Sequence, residues 1–355
     1  MRSSRTEVFG WLLMAVLSAG RAAFAAETRD PWLWPFAADS IWNTPIGSDA
    51  VYVPANIAPA GYIGDDKELL FRVSSNAPVR AVYGPFSWQR RAWREGDPGA
   101  KQQVGEVSIP DDLLVADANP PHTPNNCSAF LMPDGRTVVQ IAPLARIEQG
   151  GPVFGWKWAD EDLLGAGAGG SHGGSYLSAL GGSIRRGELT GPDPIRHVIK
   201  MDLWGQKYLY RATNEPDGRA GYRWPATTAD SAAEQLYHGT NSALQMGSLL
   251  AIPPSVLEST LTLRTAAGRK LFHALQDYGA YIVDDSAWDC HYLCAEQGVS
   301  EELQAVQGSS FGTGGAFVDD VNELVRHLYV VDNNGPENVG GGGTRRAPPP
   351  PPFLP

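Results

Sequence analysis

The sequence has little of three things: long apolar runs, clustered basic residues and helical periodicity. Its longest apolar run covers about 12 residues near the N-terminus, well short of the roughly 20 that cross a bilayer. No basic run is longer than a pair such as Arg90-Arg91, and the net charge is −11, so the chain repels phosphate backbones. We therefore expect no stable membrane insertion and no nucleic-acid partner.

The N-terminal segment has the pattern of a secretory signal peptide. Arg2 and Arg5 precede an apolar stretch at residues 8–17, and Ala23-Phe24-Ala25 supplies a small-x-small cleavage site. We predict that cleavage near Ala25 gives a secreted protein, extracellular or periplasmic; an N-terminus that stays anchored in the membrane is the alternative. Cleavage removes three arginines and one glutamate, which changes the net charge from −11 to about −13.

Cys127, Cys290 and Cys294 are the only cysteines, an odd number. In an oxidising compartment we expect one disulfide and one free thiol, with Cys290 and Cys294 brought close by a helical turn and Cys127 able to pair with either. A structural zinc site that includes His291 and His122 is an alternative, although the paired C-x2-C spacing typical of such sites is absent. We predict neither a metal nor a cofactor.

Turn-forming residues are frequent. The chain has 40 glycines and 28 prolines, spaced as expected for many short strands joined by turns, and helical periodicity appears only at residues 266–278 and 318–328. The predicted fold is mainly β, a single β-sandwich or jelly-roll-like domain with a few covering helices; a distorted barrel would give the same pattern. The candidate strands are residues 80–83, 137–141, 195–204, 207–210, 249–252 and 280–283.

Three segments divide the chain. The signal peptide covers residues 1–25, and one β-rich domain covers residues 26–335, because no repeat and no change in composition interrupts it. Residues 336–355 contain a glycine run and a proline run, which is typical of a flexible extension. We expect the protein to be a monomer.

The glycine-rich segment at residues 165–182 holds the densest group of candidate catalytic residues. It is not a phosphate-binding loop, because no Gly-Lys-Ser/Thr follows. Residues 169–173 match the G-x-S-x-G pattern of a nucleophile elbow with Ser171 as nucleophile, but the residues before them are not typical of the strand that an elbow requires. His172 and Tyr176 form a better candidate pair for proton transfer. The alternative is a histidine that only fixes a turn.

Residues 195–204 alternate in the way that is typical of a strand. His197 falls on the apolar side, where it is either a buried structural histidine or a base at the mouth of a cleft. Asp202 falls on the opposite side together with Lys200 and Trp204, on a face that either lines a groove or meets solvent. We predict a catalytic role for His197 and substrate contact for Asp202.

Aromatic and acidic residues elsewhere complete the candidate site. Arg223 is adjacent to Trp224, a combination suited to an acidic sugar, because the ring stacks on the sugar and the guanidinium pairs with its carboxylate. Asp284 ends a buried strand, a position typical of acid/base groups and also of turn caps. A turn near the N-terminus adds Trp42 and Asn43. We predict Asp284 to be catalytic and the other four residues to bind substrate.

A set of motifs resembles a broad group of secreted bacterial and fungal proteins of largely unassigned activity. The resemblance covers nearly all of the mature chain, and the motifs are specific as a set. It implies export, one continuous domain and a functional role for His197 and Asp284. The motifs are DSIWNTPIG at 39–47, GGSHGGSYLSALGGSIRRGEL at 169–189, IRHVIKMDLW at 195–204, YRWPATTAD at 222–230, LQDYGAYIVDDSAWD at 275–289 and VVDNNGP at 330–336.

These residues favour a secreted carbohydrate-active enzyme whose ligand is a polysaccharide or oligosaccharide. One form of this hypothesis is a polysaccharide lyase. His197 or His172 would then remove a proton beside a uronate carboxylate, Tyr176 would protonate the leaving oxygen, and Arg223 would neutralise the carboxylate.

The other form is a glycosidase, with Asp284 and Glu188 as its two carboxylates. Two alternatives belong to different classes. The first is a non-catalytic extracellular glycan-binding or envelope protein, which would use the same aromatic residues for recognition alone. The second is a secreted serine hydrolase that uses Ser171.

Overall fold

The computed structural model describes residues 28–84, 102–115, 124–212 and 220–353. The predicted signal peptide and His122 lie outside these ranges. Among the helices described, none has both the length and the apolar character that crossing a membrane requires.

The described chain is mainly β, with short strands and four helices, as predicted. The strands are Tyr52–Pro54 (β1), Ile63–Arg72 (β2), Val79–Gly84 (β3), Gln102–Ser108 (β4), Cys127–Leu131 (β5), Thr137–Ala145 (β6), Val153–Lys157 (β7), Glu161–Asp162 (β8), Ile199–Leu203 (β9), Leu249–Ala251 (β10), Ala280–Asp285 (β11), His291–Glu296 (β12) and Tyr329–Val331 (β13). The helices are Ala233–Leu236 (α1), Ala266–Asp277 (α2), Val299–Gln307 (α3) and Ala316–Val325 (α4).

All of these strands belong to one mixed sheet. Its order is β1-β13-β10-β11-β9-β12-β2-β5-β6-β7-β3-β4, with β8 paired to β6. In the middle of the sheet β11 is parallel to β9, β9 is antiparallel to β12, and β12 is parallel to β2. Strands that are far apart in sequence are therefore neighbours in the centre of the molecule.

One face of the central sheet is covered by helices. Ile199, Met201 and Leu203 of β9 point into a core that also contains Leu271 of α2 and Val321 of α4. Successive residues of a strand point to opposite faces, so the alternation predicted for β9 is confirmed. The helices are where the 3.6-residue periodicity predicted them: α2 ends one residue before the predicted limit, and α4 is shifted toward the N-terminus by two to three residues.

The opposite face is covered by loops. A second core on this side combines Tyr281 and Val283 of β11 with Trp42 from the N-terminal segment and Leu177 and Leu180 from the glycine-rich segment. Because backbone rather than a helix lies over this face, strand side chains here meet carbonyl and N–H groups at close range. Polar residues on this side can therefore be buried with hydrogen-bond partners.

Two predicted strands differ from the structure. Residues 207–210 are not a strand: a turn covers residues 205–208, and Tyr208 N–H donates to the carbonyl of Trp204 and Leu209 N–H to that of Gly205, which are local bonds instead of a strand ladder. Only the second half of the predicted strand 195–204 is extended into β9. The strands predicted at 80–83, 137–141, 249–252 and 280–283 are confirmed by β3, β6, β10 and β11.

The predicted disulfide is absent. Cys127, Cys290 and Cys294 are all free and buried. The expectation of a helical turn was wrong, because Cys294 lies in strand β12. Four residues in an extended strand span about 13 Å, too far for Cys290 and Cys294 to be bridged.

The predicted flexible extension is packed onto the domain as far as residue 353. Gly340 N–H donates to Asn334 Oδ1 at 2.9 Å, and Gly341 is buried. Arg29 N–H pairs with the carbonyl of Pro352, and the Arg29 guanidinium lies 4.0 Å from the ring centre of Phe353. A cation over an aromatic face is attracted to it, so the end of the described chain is held by specific contacts.

Candidate functional site

A cleft of about 820 Å³ opens beside the centre of the sheet. Aromatic side chains, including Trp288, Tyr292 and Phe71, form part of its wall. Among the described residues that line it, aspartates far outnumber the single lysine, Lys67. These aspartates are Asp65, Asp66, Asp112, Asp202, Asp284 and Asp285.

Two of these aspartates meet across the neighbouring parallel strands β9 and β11. Ile282 pairs with Met201, and the next paired residues are Asp284 and Asp202, so Val283 is an extra residue in β11. Such a bulge redirects the side chains that follow it. Asp284 consequently lies on the same side of the sheet as Asp202, and both line the cleft.

The glycine-rich segment passes directly over Asp284. A Cβ atom added at Gly173 would lie 2.5 Å from Asp284 Oδ2, and one at Gly174 would lie 2.8 Å from Oδ1. Gly174 also has a φ of +63°, a conformation that glycine adopts without strain. The glycines are therefore required here so that the loop can approach a buried carboxyl group.

Strand β2 contributes Asp66 and Glu68 to the same side of the sheet. Glu68 is fully buried, and its Oε1 accepts a hydrogen bond from Lys200 Nζ at 2.6 Å. Lys200 also donates to the carbonyls of Ser178 and Ala179, at 3.1 and 3.0 Å. All three N–H groups of the buried ammonium therefore have an acceptor.

His172 joins this group from the glycine-rich segment. Its Nε2 lies 3.1 Å from Glu68 Oε1, 3.4 Å from Asp66 Oδ2 and 3.4 Å from Cys294 Sγ. Cys294 Sγ in turn lies 3.7 Å from Asp202 Oδ1. His172 and Cys294 are fully buried, whereas Asp66 is partly exposed to the cleft.

The two paired aspartates bind protons unusually tightly. Burial raises the pKa of Asp202 and of Asp284 well above the ordinary value of an aspartate. The negative charge of Asp66 raises the pKa of Asp202 further. The negative charge of Asp230 likewise raises the pKa of Asp284. Both groups lie on the cleft and are suited to holding or transferring a proton.

The surroundings of His172 favour a positive charge on its ring. Burial alone would lower the pKa of His172, but the neighbouring groups, of which the Glu68 carboxylate carries a negative charge, outweigh burial and raise it well above the ordinary value. Burial also raises the pKa of the Cys294 thiol, and that of Cys127 to about 12. The charge at this point of the site is therefore balanced between carboxylates and cations.

Of the predicted catalytic residues, the structure brings together His172 and Asp284, with Asp202 beside them. Tyr176 is 46% exposed, packs edge to face on Trp158 and is not part of the cleft lining. His172 and Tyr176 therefore do not share one accessible surface, as a proton-transfer pair would require.

His197 has a structural environment of its own. Its Nδ1 lies 2.9 Å from the carbonyl of Val198, and its Nε2 lies 3.1 Å from Glu188 Oε1. Neither His197 nor Glu188 lines the cleft. The structure therefore does not place Glu188 beside Asp284, as the glycosidase form of the hypothesis expected.

The predicted substrate-binding residues other than Asp202 also lie outside the cleft lining. Arg223 pairs with Asp332 at 3.0 Å, and Trp224 packs against the loop-covered core. Trp42 is 1% exposed and donates its indole N–H to the carbonyl of Gly167. Asn43 uses its amide to bind backbone carbonyls at residues 35–37. These contacts stabilise the fold, and none of the four residues lines the cleft.

Ser171 is not in a nucleophile elbow. Residues 163–183 contain neither the strand before the serine nor the helix after it. His291 Nε2 contacts the carbonyl of Ala58 at 2.8 Å, and His327 contacts Glu323. His291 and His327, which follow Ser171 in the acid-then-histidine order of such hydrolases, are thus engaged elsewhere.

Sequence reasoning missed Asp66 and Glu68, and it considered Cys294 only for a disulfide or for a zinc site with His291 and His122. The signal was weak: residues 65–68 form a charged run immediately before an apolar one, which is equally typical of a solvated turn. Only the alternation within β2 places Asp66 and Glu68 on the buried side together with Leu70.

Comparison of the chain with protein-family models, with curated proteins and with solved structures gave no match.

Proposed function

We propose that the protein is a secreted glycoside hydrolase that cleaves a polysaccharide of neutral or amino sugars in the acidic cleft. The observation that carries the proposal is the register of β9 and β11, which places Asp202 and Asp284 side by side on the cleft wall. Glycosidases use two carboxyl groups that flank the scissile bond. One donates a proton to the leaving oxygen, and the other activates water or attacks the sugar.

The environment of the pair supports this division of roles. Two nearby carboxyl groups do not both ionise easily, and the charge of Asp202 adds to the groups that raise the pKa of Asp284. Burial strengthens this effect for Asp202 and Asp284. Such a pair contains a proton donor and an ionised carboxylate near neutral pH, as glycoside hydrolysis requires.

The charge of the cleft favours substrates without carboxylates. Six aspartates and Lys67 are the acidic and basic side chains among the described lining residues, apart from the phenol of Tyr292. A uronate would be repelled by this field, and Arg223, the residue predicted to hold its carboxylate, is paired with Asp332. The hydrolase is therefore preferred to the lyase, and the sugar is neutral or carries an amine.

The wall of the cleft offers a surface for the apolar face of a sugar. Trp288 is 49% exposed, and its ring centre lies 5.3 Å from that of Tyr62. An exposed indole held in place by a second ring is suited to stacking on a pyranose. The N-terminal signal-peptide pattern and the resemblance to secreted proteins agree with an extracellular polysaccharide as substrate.

The test is hydrolysis of a panel of neutral, amino-sugar and uronate polysaccharides, measured as new reducing ends. On the substrate that is cleaved, we expect Asp284→Asn and Asp202→Asn each to lower the rate at least about 100-fold, the range of acid–base catalysis. Asp289→Asn is the matched control, because Asp289 follows the same strand but pairs with Lys207 outside the cleft lining. It should retain the wild-type rate.

Wild-type activity of Asp284→Asn and Asp202→Asn would contradict the proposal. So would cleavage restricted to uronate polysaccharides. Binding of a glycan in the cleft with no product would instead favour the non-catalytic glycan-binding alternative.

A further inference from the structure

Next to the aspartate pair, four side chains from three segments direct their polar atoms at one point. They are Asp66 and Glu68 of β2, Cys294 of β12 and His172 of the glycine-rich segment. One ligand atom from each lies within 4.8 Å of all the others. The parallel pairing of β12 with β2 sets Cys294 opposite Asp66, so the sheet itself fixes three of the four.

The hydrogen bonding of this group is incomplete. His172 Nε2 has three acceptors around it, yet a ring nitrogen carries a single proton and satisfies one of them well. Glu68 Oε1 accepts from Lys200, whereas Glu68 Oε2 is buried and has no hydrogen-bond partner in the described part of the chain. Leaving a buried carboxylate oxygen unpaired costs free energy, so a further binding partner for the Glu68 carboxylate is expected.

The distances between these atoms match the edges of a metal-coordination tetrahedron. With metal–nitrogen and metal–oxygen bonds of about 2.0–2.2 Å and a metal–sulfur bond of about 2.3 Å, neighbouring ligand atoms lie roughly 3.3–3.6 Å apart. The three distances from His172 Nε2, to Glu68, Asp66 and Cys294, are 3.1, 3.4 and 3.4 Å. The other ring nitrogen, Nδ1, faces the carbonyl of Gly173 at 3.5 Å, which leaves Nε2 for the ion.

We propose that Asp66, Glu68, His172 and Cys294 form a binding site for a divalent transition-metal ion of the zinc type. A thiolate and an imidazole favour Zn²⁺ over Mg²⁺ or Ca²⁺, which prefer oxygen ligands alone. The ion takes the place of the proton on Nε2, binds the Glu68 carboxylate and displaces the Cys294 thiol proton to solvent. This differs from the prediction of a protein without a metal.

The position of the site next to the cleft gives the ion a function. Asp66 lines the cleft, and Cys294 Sγ lies 3.7 Å from Asp202. A bound ion therefore holds Asp66 and Cys294 in place beside Asp202. Metal binding can be measured without any substrate. The proposed metal site, which is argued beside the proposed function, can therefore be disproved without disproving the hydrolase activity, and the reverse.

The test uses the full mature protein, stripped of metal by a chelator and then titrated with Zn²⁺ by calorimetry. We expect one high-affinity Zn²⁺ per chain and a rise in melting temperature on binding. Cys294→Ser and His172→Ala should weaken binding by at least about 100-fold, because even loss of an outer contact to a ligand costs 10–100-fold. Cys290→Ser is the matched control, because Cys290 is a buried thiol that faces Ser286 outside the group.

Co²⁺ provides a second readout that a folding defect does not mimic. In the wild-type protein, Co²⁺ should give the visible bands of tetrahedral coordination and a thiolate-to-metal charge-transfer band in the near ultraviolet. Circular dichroism checks that each variant is folded, and Cys294→Ser should lose the charge-transfer band. Absence of stoichiometric Zn²⁺ binding by the wild-type protein, or an unchanged charge-transfer band in Cys294→Ser, would overturn the proposal.

Discussion

At the scale of single residues, the centre of the molecule depends on a buried ion pair. Lys200 and Glu68 are both fully buried, and their Nζ and Oε1 atoms lie 2.6 Å apart. The free energy needed to remove two charges from water offsets much of the attraction between them. Removing one partner, however, leaves an isolated charge in the core. The pair therefore makes each of its members hard to replace.

We expect Lys200→Met to lower the free energy of unfolding by about 3–5 kcal/mol, because the Glu68 carboxylate loses its counterion. Urea unfolding of metal-free protein measures the change. The double variant Lys200→Met/Glu68→Gln should recover part of the loss, since its core then holds no unpaired charge. A double variant less stable than Lys200→Met would show that the pair is not the cause.

A second prediction concerns His197. Burial lowers its pKa, but the charge and hydrogen bond of Glu188 outweigh burial, and the pKa is raised. A histidine whose pKa is higher in the folded than in the unfolded protein stabilises the fold fully below its unfolded pKa, near 6.5. That stabilisation is lost as the pH rises through the folded pKa.

The wild type should therefore be more stable than Glu188→Gln at about pH 5.5, and this difference should shrink at about pH 9. Glutamine keeps an oxygen that can accept from Arg185 N–H, so the variant removes mainly the charge. Melting temperatures across the pH range measure the effect. Glu258→Gln, which removes the partner of the exposed His273, is the control and should show little pH dependence. A difference that grows toward high pH would contradict this assignment.

At the scale of elements, helices α2 and α4 are joined by one carboxylate. Asp320 of α4 is fully buried and accepts hydrogen bonds from Arg264 N–H at 2.8 Å and from Thr265 N–H at 2.7 Å. Thr265 is the N-cap of α2, and its hydroxyl accepts from Gly268 N–H. The start of one helix is thus set by a residue of the other.

We expect Asp320→Ala to lower the free energy of unfolding by about 3 kcal/mol, because buried N–H groups at the start of α2 lose a charged acceptor. Asp319→Ala is the matched control on the same helix. Asp319 is exposed and pairs with Arg264 at the surface, so its loss should cost less than about 1 kcal/mol. Chemical denaturation of both variants measures the difference, and equal losses would contradict the role given to Asp320.

The same elements show what the sequence could predict. Helix α2 has clear periodicity and strand β11 begins with a short apolar run, and both were placed to within one or two residues. The alternation in β9 correctly separated Asp202 from Met201. The bulge at Val283, which turns Asp284 toward the cleft, could not be predicted, because the apolar residues around it do not distinguish a bulged strand from a regular one. Nor did the spacing of Cys290 and Cys294 distinguish a strand from a helical turn.

At the scale of the whole molecule, the site is assembled by the sheet order. Long stretches of chain separate β2 from β9 and β9 from β11 and β12, and the order β11-β9-β12-β2 makes these strands neighbours. Sequence reasoning found Asp202, Asp284 and His172 one at a time from local patterns. It could not find Asp66 and Glu68 or group Cys294 with them, because this group arises only from pairings between distant segments.

The same long-range order explains why several predicted residues fell outside the site. Trp42, Asn43 and Arg223 are polar or aromatic residues in turns, where sugar contacts and structural contacts look alike in sequence. In the fold each is fixed by backbone or ion-pair contacts. Residue type alone therefore indicated a kind of chemistry but not its location.

The central claim is that the acidic cleft hydrolyses a glycosidic bond by means of Asp202 and Asp284. The most direct measurement is cleavage of the accepted polysaccharide in H₂¹⁸O, followed by mass spectrometry of the products. Hydrolysis predicts one ¹⁸O atom in each newly formed reducing end and no unsaturated sugar, with no product from Asp284→Asn. Unsaturated products without ¹⁸O, or the same labelled products from Asp284→Asn, would contradict the account.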